Sequence, residues 1–244
     1  MDGTAVQQIE RLSKENMLVE LDGLTFSPLP LKPVFHEPTP KPLEMHTLSG
    51  LVEYLRPNMD SLLPKQSLIL VDNPGTVELV SLINGKDRHR DCYAIVKLDT
   101  NLKEFPFGKY QDVESFVVGL RSMFEPTPDL EKLVMYVSKV RGGKSFSLDD
   151  DGVSQTTSVA VGVSGALTKK ETAPAIVRLR PYRTFRDIEQ TESEFLFRMK
   201  LVDTEDNIVG ACLYEADGGR WRHFASQSIK KFLEEALPGM TVIA

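Results

Sequence analysis

The apolar residues of this chain change pattern twice, and that change limits the folds open to it. Between residues 112 and 137 they recur at helical spacing: Val113, Phe116, Val117, Leu120 and Phe124, then Leu130, Leu133, Val134 and Val137. Residues three and four apart share one side of a helix, so each set marks a helix with a single apolar stripe. After them, from Lys144 onward, the period drops to two, the spacing of a strand with one face buried; before them the apolar run at 67–71 reads as a buried strand, with two more strands following. Strands therefore precede and follow a helix pair instead of alternating with single helices. This is not the order of a doubly wound sheet. It predicts an α+β fold of mainly antiparallel sheets, with a central helix pair, a C-terminal helix and a proline-rich arm in front.

Before that region, Val6, Ile9, Leu12, Met17 and Leu18 predict an amphipathic helix within residues 5–21. Six prolines then fall within fifteen residues, from Pro28 to Pro42. Proline fixes φ and lacks an N–H, so this stretch predicts an extended arm instead of a helix or central strand. Its Leu29, Leu31, Val34, Phe35 and Leu43 are too apolar for a solvated linker. Draping over its own domain or over a neighbouring subunit would cover them. The expected organisation is a helix and arm in residues 1–45, a single α+β domain in residues 46–244, and a homo-oligomer.

Along the domain, Thr47 caps a helix with the stripe Leu48, Leu51, Val52 and Leu55, stopped by Pro57. Strands follow at 67–71, 76–84 and 92–99, the first two joined by a turn at Asn73-Pro74-Gly75 and the last two forming a hairpin. Thr127 caps the second helix of the pair, with Pro128 at its first position; Gly142 and Gly143 end it. A hairpin turning at Asp150-Asp151-Gly152, a polar loop at 164–173 and three further strands come next. Trp221, Ala225, Ile229, Phe232, Leu233 and Ala236 then mark the last helix, and a short strand is expected at the end.

Composition removes several functional classes. With 41% hydrophobic and 26% charged residues the chain has the balance of an ordinary globular protein. A net charge of −6 leaves no overall basic field for nucleic acid, so any polyanion site must be a local patch. Cys92 and Cys212 each sit in an apolar run, the setting of a reduced, buried thiol and not of a secreted disulfide framework. Met1 is followed by polar residues, and no apolar run approaches the length of a membrane span. A cytoplasmic protein is expected, without membrane contact.

Local motifs fail on their surroundings. Gly143-Lys144-Ser145 resembles the end of a phosphate-binding loop, but Ser138 stands where a glycine is required, and the helix precedes the loop when it should follow. Gly162-Val163-Ser164-Gly165 has Ala166 where a nucleophile elbow needs glycine. Asp149-Asp150-Asp151-Gly152 suggests a calcium loop, but Ser158 takes the place of the closing carboxylate. The four histidines are scattered, and no Cys/His spacing suits zinc. Arg88-His89-Arg90, beside Asp91, is a charged loop tip. No cofactor, metal or catalytic set is implied.

The densest chemistry lies between Pro174 and Ala216. Alternation from Ile176 places Arg178, Arg180, Tyr182 and Arg186 on one face, with Val177, Leu179 and Phe185 opposite, interrupted by Pro181 and Arg183. The next strand places Arg198 and Lys200 beside Glu194, opposite Phe195, Phe197, Met199 and Leu201. If the two strands pair, five cations surround Tyr182, a surface suited to a phosphate, a nucleotide or a nucleic-acid backbone. The competing reading is an ion network in which Glu189, Glu192 and Glu194 neutralise the arginines on a solvated or intersubunit face.

The segments RLRPYRTFRDIEQTESEF and LYEADGGRW, with IKKFL after them, resemble a family of phage and prophage proteins of unknown function, the YfdQ-like proteins. HTLSGLVEYL, FEPTPDLEKLVMYVSKV and KSFSLDDDG fit the same layout, so the resemblance spans roughly residues 46–236. It implies a phage or prophage origin and action in the bacterial cytoplasm, and brings no catalytic residues with it. The function expected is that of a non-catalytic accessory protein that acts by binding. Its partner would be a host protein or a nucleotide-like, phosphorylated small molecule, sequestered in a counter-defence role. The alternative is an accessory factor of phage DNA replication or recombination that binds nucleic acid through the same arginines.

Overall fold

The computed structural model describes residues 3–15, 19–26, 40–83, 88–99, 104–141, 146–150, 155–161, 167–203 and 208–244. The proline-rich stretch 27–39, the Gly143-Lys144-Ser145 segment, the 151–154 turn and the Gly162–Gly165 segment lie outside them. The fold is α+β, as the change of period predicts. In order, the described elements begin with α1 (Gly3–Glu15), β1 (Val19–Leu21), β2 (Leu24–Phe26), β3 (Leu43–Met45), α2 (Leu48–Leu55) and a 3-10 turn (Pro64–Gln66). Then come β4 (Ser67–Asn73), β5 (Thr76–Ser81), β6 (Cys92–Lys97), β7 (Gln111–Asp112), α3 (Val113–Met123) and α4 (Pro128–Arg141). The remainder comprises β8 (Phe146–Asp150), β9 (Gln155–Val161), β10 (Leu167–Thr172), β11 (Ile176–Leu179), β12 (Ser193–Asp203), β13 (Ile208–Glu215), α5 (Arg220–Ala236) and β14 (Thr241–Ile243).

Two hydrophobic cores organise these elements. The first lobe is the sheet β11-β12-β13-β7, all antiparallel, with α3 and α4 against one face. Phe195, Phe197 and Met199 alternate along β12 into that face and meet Phe116, Leu120, Leu133 and Val137 from the helices. The caps read from sequence are in place: Thr47 Oγ1 accepts from Gly50 N and Thr127 Oγ1 from Leu130 N, both at 3.1 Å; Asp112, not read as a cap from the sequence, does the same for α3, its Oδ1 accepting from Ser115 N at 3.0 Å. The second lobe is the mixed sheet β14-β4-β5-β6-β3, with α2 and α5 on one face. Its inner strands are antiparallel, whereas β14 joins β4, and β3 joins β6, in parallel. Residues 67–99 thus belong to a different sheet from β11–β13. Strands β10-β9-β8 form a third, three-stranded sheet.

Three expectations need correction. The helix expected across 5–21 ends at Glu15, and Val19–Leu21 pairs with Leu24–Phe26 as a hairpin. Alternating apolar residues around an Asp22-Gly23 turn favour this outcome: both turn residues have positive φ, 52° and 76°, the geometry of tight hairpins. The polar loop expected at 164–173 contains β10, paired with β9 from Leu167↔Val161 to Thr172↔Thr156. Backbone pairing supplies those bonds whatever the polarity of the side chains. The arginine strand also stops earlier than counted, at Leu179. Pro181 has no N–H to continue the ladder, and the chain turns away to bridge Phe124 at the end of α3.

The segment after that turn fastens one lobe to the other. Glu125 N donates to Arg180 O and Tyr182 N to Met123 O, both at 2.9 Å, which holds its start on the first lobe. Thr184 Oγ1 then donates to Pro74 O at 2.6 Å, and Phe185, 1% exposed, enters the second core. Asp187 accepts from Leu48 N at 3.1 Å and Ser49 N at 3.0 Å, capping α2 from far along the chain. Burial alone would raise the Asp187 pKa, but the Ser49 hydroxyl and these N–H groups hold it below the ordinary carboxylate value. Gln190 closes the loop from inside. Its Oε1 accepts from Arg183 N at 3.2 Å and Thr184 N at 3.4 Å, and its Nε2 donates to Phe185 O at 3.0 Å and Ile188 O at 3.2 Å. Both donors and both acceptor positions of that buried amide are used.

Candidate functional site: a cavity between the lobes

The exposed cations are dispersed and largely matched. Arg178 stands opposite Glu194 in the β11–β12 register and its Nη2 lies 3.0 Å from Glu194 Oε1. Arg180 pairs with Glu189 and lies 3.9 Å from both Glu125 and Glu192. Arg186 lies over the Tyr182 ring at 3.6 Å. Arg198 Nη1 donates to Phe197 O at 3.0 Å, and Lys200 sits 4.1 Å above the Tyr110 ring. Arg198 is four residues along β12 from Glu194, roughly 13 Å at strand spacing, so it and Lys200 form a separate group from Arg178 and Arg180. One cationic ring around Tyr182 does not assemble, because β11 has already ended when the chain reaches Arg180. The loop-tip residues are internally engaged too: His89 Nε2 is 3.2 Å from Asp91 Oδ1, and Arg90 Nη1 donates to Ser81 O at 2.8 Å.

Arg183, expected only as an interruption of the apolar face, is the arginine of greater chemical interest. Its side chain is 9% exposed and pairs with Glu215. Its Nη2 donates to Ser193 Oγ at 2.7 Å, and the Ser193 hydroxyl in turn serves the Asp217 carboxylate. Its guanidinium carbon lies 4.0 Å from the Trp221 ring centroid, 5.5 Å from that of Phe195 and 5.6 Å from that of Phe107. A desolvated guanidinium over aromatic faces gains up to about 2 kcal/mol per good contact. Burial lowers the Arg183 pKa to about 10 against the opposing pull of Glu215 and Asp217, so the group stays charged at neutral pH.

These residues form the wall of a cavity of about 460 Å³. Asn73, Pro74 and Gly75 enter from the β4–β5 turn, and Leu98 follows β6. Glu104 and Phe107 approach from the segment before β7, Arg183 and Glu215 from the first lobe, and Trp221 and Arg222 from the start of α5. Two glycines shape it. A Cβ on Gly75 would stand 2.9 Å from Leu98 Cδ1, and one on Gly219, at φ +80°, would stand 2.6 Å from the Arg222 guanidinium. Gly219 therefore permits both the left-handed turn into α5 and the approach of Arg222 to Trp221, whose ring centroid is 5.0 Å away. The Asp217 carboxylate accepts from Gly219 N at 2.9 Å and serves Trp221 N as well. Burial would raise its pKa, but the Ser193 hydroxyl, Gly219 N and the Arg183 charge lower it.

Chemically, this arrangement can hold a small charged molecule against aromatic and aliphatic walls, at the junction where pockets between domains commonly form. Among the described residues no group of three or more His, Cys, Asp or Glu side chains is placed to hold a metal ion. No helix among them is long and apolar enough to cross a membrane. Sequence reasoning missed Arg183, Glu215, Trp221 and Arg222 as a set. The only local signals were a single tryptophan flanked by Arg220 and Arg222, and an arginine in an apolar register. Comparison with family models, with curated proteins and with solved structures gives no match for this chain.

Proposed function

We propose that this protein acts by binding a small anionic molecule in the cavity between its two lobes. In this reading it is a non-catalytic accessory protein of the bacterial cytoplasm, of phage or prophage origin as the YfdQ-like resemblance implies, and works as a homo-oligomer. Sequestration of a phosphorylated or carboxylated metabolite is the role that suits such a site. The observation that carries the reading is Arg222: it lines the cavity beside the pair formed by the buried Arg183 and the part-exposed Glu215, and no carboxylate pairs with it among the described residues. A second cation beside a pair already neutralised favours an incoming anion.

The nucleic-acid alternative rests on the outer arginines. Arg178 and Arg180 already face Glu194, Glu189, Glu125 and Glu192, which weakens that reading. The decisive experiment is native mass spectrometry of the purified protein, read for retained small molecules, for co-purifying host proteins and for subunit number. A retained anion that is lost from Arg222→Ala supports the proposal. Protein free of any small anion, with none in a phosphate and carboxylate panel raising its melting temperature, overturns it. Salt-sensitive binding of DNA would favour the alternative.

A further inference from the structure

We infer that the molecule taken by this cavity is a zwitterion with an apolar body, of the class of a free amino acid with a large apolar side chain. This rests on the reading of the cavity as a small-anion site and adds a second charge and a body to the ligand. Among the described residues, two charged groups on the cavity wall are uncommitted, one of each sign. Arg222 has its guanidinium on Trp221 and no carboxylate partner. Glu104 is exposed, and none of the described residues makes an ion pair or hydrogen bond with its side chain. The remaining pair, Arg183 with Glu215, is closed on itself. A simple anion would satisfy Arg222 but meet the field of Glu104, and a simple amine would meet the reverse. A molecule carrying both charges satisfies both groups, and an unlike charge on each adds a charge-assisted hydrogen bond.

The wall that joins these two charges sets the body. Pro74, Leu98, Phe107 and Trp221 are carbon surfaces from both lobes. An apolar body buried there gains by the removal of its surface from water. A cavity of about 460 Å³ admits a molecule of amino-acid size with room for water around its charges.

The chain has one tryptophan, so Trp221 fluorescence reads this cavity alone. L-phenylalanine, 3-phenylpropionate (no amine), 2-phenylethylamine (no carboxylate) and inorganic phosphate are titrated into the full chain, with excitation where phenyl rings are transparent. The expected result is that L-phenylalanine binds several-fold, up to about 5-fold, more tightly than either half-molecule, the value of one solvent-screened ion pair. Glu104→Gln should abolish its advantage over 3-phenylpropionate, and Arg222→Gln its advantage over 2-phenylethylamine, with melting temperatures unchanged. If 3-phenylpropionate or phosphate binds as tightly as L-phenylalanine, the zwitterion inference fails while the anion reading stands. If neither L-phenylalanine nor either anion perturbs Trp221, or the amine alone binds best, both fail.

Discussion

Arg178 and Arg183 belong to one short stretch and occupy opposite physical environments. Arg178 is 63% exposed and meets a half-exposed Glu194 across a strand pair. Arg183 is packed among three aromatic rings and meets Glu215 at the floor of a cavity. Water screens the first pair and leaves it worth a fraction of a kilocalorie. In the second pair Arg183 has given up its water while Glu215 keeps a third of its side chain exposed, so the charge of Arg183 has to be balanced by the protein. Arginine density in the sequence is thus a poor guide to function here. What matters is which arginine lost its solvent, and that is decided by Pro181, which takes the chain out of the sheet.

The contrast can be broken in four ways. Gln190→Ala should have the largest effect, because it strips partners from two N–H and two C=O groups in the segment that delivers Arg183. About 3 kcal/mol or more of stability should be lost in chemical denaturation. Arg183→Leu should cost about 2–3 kcal/mol, less than for a wholly buried pair, since Glu215 keeps a third of its side chain in water. If Arg183→Leu were as benign as an exposed substitution, the contrast between the two arginines would collapse.

Asp187→Ala comes next, at about 1 kcal/mol for a lost helix cap, and it carries a pH signature. Its folded pKa lies below the unfolded value of 3.8, so the stabilisation is present above that value and disappears as pH falls through the lower, folded one. The gap between wild type and Asp187→Ala in thermal melts should be full at pH 6 and shrink as pH falls below 3.8. Arg178→Gln should have the smallest effect, within about 0.5 kcal/mol of wild type and smaller still in high salt. A larger loss would place Arg178 in a role that the screened geometry does not supply.

Much of the fold was legible because helix stripes and caps are local signals. Thr47, Thr127 and the Val113–Phe124 spacing identify α2, α3 and α4 without any tertiary information, whereas the Asp112 cap of α3 was not read. β10 was illegible because Leu167–Thr172 owes its form to an open edge on β9, not to its own side chains. The site fared worse. Counting by two assumes that a strand continues, and beyond Leu179 it does not. Arg183, Trp221 and Phe107 come from three separate chain segments, so no period or spacing connects them. Gln190 reads as one polar residue among several, until its four bonds show that it sets the path of the chain.

The five-stranded sheet has an uneven origin. Four of its strands and α2 come from residues 43–97, whereas α5 and β14 come from residues 220–243, with the whole first lobe between them. The first lobe is thus an insert within the second. It can assemble from a contiguous stretch, while its host must wait for the two ends of a long detour to meet, a slow, high-contact-order step. The chain leaves the host near Leu98 and re-enters it near Trp221, and both residues border the cavity. A ligand there would sit across the seam of the insertion. It should slow the separation of insert and host, making the rate of unfolding a readout of occupancy.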